Sequence, residues 1–320
     1  MKLRSFLLAG ILSISSAGAQ TPYNSLLYGI LADQLDASTA SHGHGGLTPS
    51  HQSRLSLMNP ATWTAADFAL LSGHYSGGEV GIDRPGFRSS YGRLTYATFI
   101  LPIRGRWAFG LGIRPYSRKN FLLEDDSVST VVFSGDTLTF SKTLEGSGGV
   151  STLFAGVGWR ISDRLTLGLR WDILMGVFNE DITGVIADVP TVYRRRFEVK
   201  GTLVSIFAQS FLLEDPLPTS GYAMVKVPVG DREIKETDFY PYRPSFLLRR
   251  IQGPVHPLSL PVRLAGGLTT RLSDHLWASV EIHSLRFGED IPGQVSSLGG
   301  DLSDGFRISL GLLRSADRSS

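Results

Sequence analysis

No cysteine occurs anywhere in the sequence. Disulfides, thiol redox catalysis and thiolate metal sites are therefore excluded, and stability has to come from packing and backbone ladders. Long apolar runs are missing too: beyond residue 20 nothing approaches the ~20 residues of a membrane-spanning helix. Net charge is nearly absent. Without Lys2 and Arg4, the 31 basic side chains fall to parity with the 29 acidic ones, which leaves no global field to attract nucleic acid. No nucleophile elbow, phosphate loop or paired-acid motif is present, so neither an enzyme nor a cofactor is expected.

What the chain does contain is glycine, 36 residues of it, and a mean hydropathy of +0.04. A fairly apolar chain without a spanning helix is either a large soluble β protein or a barrel that spreads its lipid-facing residues over alternate positions. The first twenty residues read as a secretory leader. Lys2 and Arg4 are followed by the apolar run Phe6 to Ile14 and by Ala17-Gly18-Ala19, a small-x-small cleavage site, before Gln20. Residues 1–19 are thus expected to be a signal peptide and the mature chain to be exported.

From about residue 66 the pattern has period two. Trp107, Phe109, Leu111 and Ile113 alternate with Ala108, Gly110, Gly112 and Arg114. Leu165, Leu167, Leu169, Trp171, Ile173 and Met175 alternate with Thr166, Gly168, Arg170, Asp172 and Leu174, and Phe306 to Leu312 repeats the theme. Such alternation is the signal of a half-buried strand. Connections alternate as well. Arg104-Gly105-Arg106, Ser162-Asp163-Arg164 and Ser273-Asp274-His275 are tight turns, whereas 77–90, 119–149, 178–192, 230–257 and 288–303 are long polar stretches. Short turns at one end and long loops at the other are the outer-membrane barrel pattern.

Threading on that rule predicts strands near 67–76, 91–103, 107–118, 150–161, 165–177, 193–210, 221–229, 258–272, 276–287 and 304–313, an even number with both ends periplasmic. Residues 127–142 form either a hairpin extension of their loop or two further membrane strands. The expected fold is an all-β, transmembrane, antiparallel up-and-down barrel of about 10–14 strands. It comprises a hatch or plug over 20–66, the barrel over 67–313 and a polar tail over 314–320. Within the hatch, Ser25 to Leu35 has helical periodicity, and Pro60 stands where the first position of a short helix would be.

If apolar residues face lipid, the other parity lines the lumen. That places Arg114, Arg160, Arg170, Asp172, Glu198, Arg263, Arg271, Glu281 and Arg307 inside. Two readings of this set stand: a cationic interior that takes anionic solutes such as carboxylates, or a core filled by arginine–carboxylate networks. Trp107 and Trp159, each near a short turn, form either an interfacial aromatic belt or ordinary strand aromatics. His42, His44 and His51 fit no metal motif and read as a Gly-rich linker. Arg194-Arg195-Arg196 begins a strand on the outer side, where it meets lipopolysaccharide phosphates or simply solvent.

Arg54-Leu55-Ser56-Leu57-Met58-Asn59-Pro60-Ala61 and Phe109-Gly-Leu-Gly-Ile-Arg-Pro-Tyr-Ser117 resemble the FadL-like outer-membrane family, including its PorV-like branch, over about residues 23–175. In that family an Asn-Pro-Ala motif follows the hatch and precedes the first strand, which marks Asn59, Pro60 and Ala61. The resemblance implies an outer-membrane channel or transporter for small hydrophobic or amphipathic molecules. The alternative it implies is a PorV-like surface scaffold or shuttle that binds secretion-system proteins through the long loops. Outer-membrane lipid and lipopolysaccharide are the expected surroundings. The chain departs from the family in having fewer strands and in ending on Leu312-Leu313 before the polar tail Arg314 to Ser320. A soluble periplasmic β protein is the third reading.

Overall fold

Alternation in this protein sorts side chains by what lies on each face. The computed structural model describes residues 30–31, 46–49, 55–81, 88–103, 106–133, 136–186, 189–213, 217–242, 247–273, 275–287 and 304–314. The proposed leader, the histidine-bearing linker, the stretch 288–303 and most of the tail lie outside them. After β1 (Ile30–Leu31) and a 3-10 helix (Pro60–Ala65) come β2 (Leu70–Gly81), β3 (Arg88–Ile103), β4 (Trp107–Arg118), β5 (Phe121–Phe133) and β6 (Asp136–Arg160). Then follow β7 (Leu165–Ile186), β8 (Val189–Leu213), β9 (Thr219–Tyr242), β10 (Leu247–Pro257), β11 (Val262–Ser273), β12 (Leu276–Arg286) and β13 (Gly305–Arg314).

All thirteen belong to one antiparallel sheet whose main path runs β13-β12-β11-β9-β8-β7-β6-β4-β3-β2. These ten strands are the ten that alternation predicts, joined as an up-and-down meander. Among the described residues β13 pairs only with β12 and β2 only with β3.

In β4, Trp107, Phe109, Leu111 and Ile113 are 40–57% exposed, while Ala108, Gly110, Gly112 and Arg114 are buried. Leu169, Trp171, Ile173 and Met175 of β7 and Phe306, Ile308, Leu310 and Leu312 of β13 are likewise exposed. Apolar-out, polar-in alternation is stable only where the outside is hydrocarbon, and these residues form its lipid-facing band.

A tilted strand crosses a bilayer with about 9–11 residues. Yet β6 and β8 have 25 residues, β9 has 24 and β7 has 22. The surplus, about 40–50 Å of strand at 3.3 Å per residue, rises beyond the apolar band. Stretches that read as polar loops are therefore hairpins. β5 pairs with the upper part of β6 (Phe121↔Gly146 to Phe133↔Asp136), and β10 pairs with the upper part of β9 (Leu247↔Tyr242 to Pro257↔Glu233). The stretch 127–142 is thus a hairpin extension, not a pair of additional membrane strands.

Both glycines at which strands change neighbours have positive φ. β6 pairs with β5 up to Gly146 and with β4 from Gly149, and Gly148 between them has φ 103°. β9 pairs with β11 up to Lys226 and with β10 from Glu233, and Gly230 between them has φ 66°. Only glycine adopts such angles without steric cost.

The helix expected over Ser25 to Leu35 is corrected in its described part. Ile30 and Leu31 form β1, paired with Arg118 and Ser117 of β4. β3 covers that edge of β4 only as far as Ile113, and the backbone groups above it need another partner.

Candidate functional site: the filled lumen

The interior is built in layers, and the lowest is the hatch. Asn59, fully buried, caps the 3-10 helix: its side chain accepts from the Ala61 amide at 3.0 Å and donates to Leu47 O at 2.9 Å. Pro60 takes the first helical position, as read from the sequence. Trp63 Nε1 donates to Ser56 O at 3.0 Å, which holds the indole of a fully buried tryptophan flat within the hatch.

Wall glycines make room for this segment. A Cβ on Gly110 would stand 2.6 Å from Trp63 Cζ3, and one on Gly158 would stand 2.2 Å from Pro60 O. Four wall residues staple the hatch in place. Tyr96 Oη donates to Leu57 O at 2.9 Å, Arg170 Nη1 to Met58 O at 2.5 Å and Arg160 Nη2 to Thr64 O at 3.1 Å. On the far side Thr48 reaches Glu281 of β12. A segment that touches β3, β6, β7 and β12 together is wrapped by the sheet.

The second layer is charged. Asp172, fully buried, accepts from Arg170 Nη2 on Oδ2 at 3.3 Å and lies in ion-pair contact with Arg170 Nε (3.1 Å from Oδ1), Lys226 Nζ (2.9 Å from Oδ2) and Arg114 Nη2 (3.8 Å from Oδ2). The Phe154 and Phe207 rings lie 5.6 and 5.2 Å from the Arg170 guanidinium. Above comes an apolar layer of Tyr116, Val150, Leu174, Phe178, Phe197 and Val199, completed by Leu258 and Leu260 from the β10–β11 connection. Higher still, Lys119 Nζ bonds Glu180 Oε1, both side chains fully buried, with the ammonium 4.6 Å from the Phe178 ring centroid. Burial pushes the Lys119 ammonium below the ordinary lysine range, and Glu180 opposes that shift.

The structure places eight of the nine expected lumen charges on the inner parity: Arg114, Arg170, Asp172 and Glu281 buried, and Arg160, Arg263, Arg271 and Arg307 half-buried. Glu198 is a correction. It faces outward, 37% exposed, and contacts Arg196 at 3.5 Å, while neighbouring Phe197 and Val199 point in. The cause is height. At that level of β8 the outside is water, so the apolar residues turn inward and parity inverts.

The arginine triplet is spoken for. Arg194 makes a bidentate pair with Asp181, Arg195 bonds Glu236 and lies near Asp238, and Arg196 lies near Glu198. Trp107 and Trp159 stand opposite each other in the β4–β6 register, rings stacked at 5.1 Å. Sequence reasoning missed Lys226, Lys119, Glu180, Thr48 and His283. For Lys226 a signal existed, since it sits between Val225 and Val227. Among the described residues no cluster of histidines and carboxylates is arranged to hold a metal.

No curated protein matches the sequence. Among solved structures the chain is similar to a FadL homologue from Pseudomonas aeruginosa, with 13% identity and a TM-score of 0.32, over 88% of this chain and 96% of that one. The profile of the BamG family matches residues 2–209. A match over that much of the sequence, on a sheet with a lipid-facing band and a hatch-filled interior, makes the membership plain: this outer-membrane barrel protein belongs to the BamG family.

Proposed function

We propose that the protein is a surface scaffold that binds partner proteins through its raised hairpins, and not a conduit for small molecules. One observation carries the reading: packed groups occupy the interior at successive levels, in the hatch, the Asp172 cluster, the Phe178–Phe197 layer and the Lys119–Glu180 pair. A conduit for hydrophobic molecules needs a continuous apolar groove beneath the hatch. Here the space beneath and above Trp63 is taken by wall glycines, Arg170 and aromatic rings. The hairpins β5–β6, β7–β8 and β9–β10 extend the sheet far past the bilayer, which suits them to hold another chain. Secretion-system proteins are the partner class that the family resemblance implies.

Two measurements test this. Purified protein in planar bilayers and in dye-loaded vesicles is expected to add no conductance and no uptake of a fluorescent fatty acid. Replacing residues 124–142 by a short turn is expected to leave the protein in the outer membrane yet abolish its co-purification with partner chains from native membranes. Hatch-dependent uptake, with partner capture untouched by the hairpin deletion, would restore the transporter reading.

A further inference from the structure

The Asp172 cluster is out of charge balance. Three cationic side chains, Arg114, Arg170 and Lys226, converge on one carboxylate, and all four residues are 0–8% exposed. Buried charge without compensation is among the costliest arrangements in a protein, and arginine does not relieve it by losing its proton.

The acceptors are also unevenly shared. Arg170 has both Asp172 and the Met58 carbonyl. Arg114 has a single long contact to Asp172 Oδ2 at 3.8 Å, and its buried Nε has no protein acceptor. If Lys226 sheds its proton, one positive charge is still in excess and the Arg114 Nε–H still lacks an acceptor. Arg170 Nε also lacks a hydrogen bond but lies 3.1 Å from Asp172 Oδ1 in ion-pair contact, so the guanidinium left furthest from negative charge is that of Arg114.

We propose that the lumen holds a small monovalent anion, a halide or a formate-sized carboxylate, seated on the Arg114 guanidinium beside Lys226. The anion supplies the missing acceptor to Arg114 Nε, offsets the excess charge and adds to the charged layer of the interior. Its seat lies between the hatch below and the Tyr116–Phe178 layer above. This assignment does not depend on whether the protein binds partners or passes solutes.

Chloride NMR on the full-length protein in detergent tests it. Wild-type protein is expected to broaden the chloride line beyond a detergent blank, bromide to reverse the broadening, and Arg114→Gln to abolish it. Because that variant loses a buried group and its folding is at risk, wild-type stability is measured in parallel, in chloride and in gluconate at equal ionic strength. Where free chloride far exceeds its dissociation constant, each further tenfold rise is expected to raise the folded-to-unfolded ratio about tenfold. Wild-type broadening that bromide does not reverse overturns the proposal, as does equal stability in the two salts. Full broadening in a folded Arg114→Gln variant overturns the assignment to Arg114.

Discussion

Thr48 and Glu281 are 233 residues apart in sequence and joined by two bonds: the Thr48 amide, at 2.6 Å, and its hydroxyl, at 2.5 Å, both donate to Glu281 Oε1. Oε2 of the same fully buried carboxylate lies 2.9 Å from His283 Nε2. The hatch, otherwise held by β3, β6 and β7, is thereby fixed to β12 as well. Glu281→Gln keeps the shape but removes the charge that both donors address, so it is expected to cost about 2–3 kcal/mol. The readout is the urea midpoint in detergent together with protease sensitivity of residues 46–66. Unchanged protection of that segment would show that the contact holds nothing in place.

The Lys119–Glu180 pair sets up a second test. Both groups are fully buried among the rings of Phe121, Phe178 and Phe197. Removing one partner strands the other, so Glu180→Gln alone is expected to lose about 3–5 kcal/mol, whereas the double change Lys119→Met with Glu180→Leu recovers most of it. The pH dependence follows from burial, which lowers the folded-state Lys119 value below the ordinary 10.5. Between the two values the unfolded chain binds the extra proton, so stability rises with pH there and levels off near 10.5. Lys119→Met is expected to flatten this alkaline rise. A double variant no better than the single, or a wild-type curve that falls with pH in that window, contradicts the account.

Gly158 tests how closely the hatch lies on the wall. A methyl there meets the Pro60 carbonyl oxygen at 2.2 Å, a backbone atom of a fully buried motif with no freedom to swing aside. Gly158→Ala is expected to cost about 1–3 kcal/mol, the range for overpacking, and to loosen the hatch. Gly73→Ala, where nothing lies within 4 Å, is the control. Equal midpoints for the two variants would mean that the hatch does not rest on the wall at Gly158.

Legibility followed the surroundings of each strand. Around Trp107 to Arg114 and Leu165 to Met175 hydrocarbon outside and polar groups inside impose a clean period of two, and those strands were readable. Phe197, Glu198 and Val199 obey the same period with opposite meaning, because water replaces lipid outside. Reading lipid onto that level turned Glu198 inward and kept the upper halves of β6, β7 and β9 as loops. The neighbour changes at Gly148 and Gly230 depend on φ, which composition does not reveal. The short helix begun at Pro60 was legible because its chemistry is local, whereas the Asn59 cap emerged only from the structure. Lys119–Glu180 and Thr48–Glu281 were not, since each pair is brought together only by the whole sheet.

Trp107 and Trp159 bear on how the protein sits in its membrane. They are 40% and 42% exposed on the outer face, directly cross-strand, with ring planes 3° from parallel. Both lie beside short turns, at the edge of the apolar band that includes Leu111 and Leu169. Indole rings with an apolar body and one donor are favoured at the headgroup boundary. We expect lipids brominated high on the acyl chain to quench these two tryptophans more strongly than lipids brominated near the chain terminus. Trp171, 59% exposed and twelve residues along from the 159 position in the β6–β7 hairpin, should show the reverse preference. Single Phe replacements assign each contribution. A depth order with Trp171 at the headgroups would move the lipid band along the strands, and with it the height at which parity inverts.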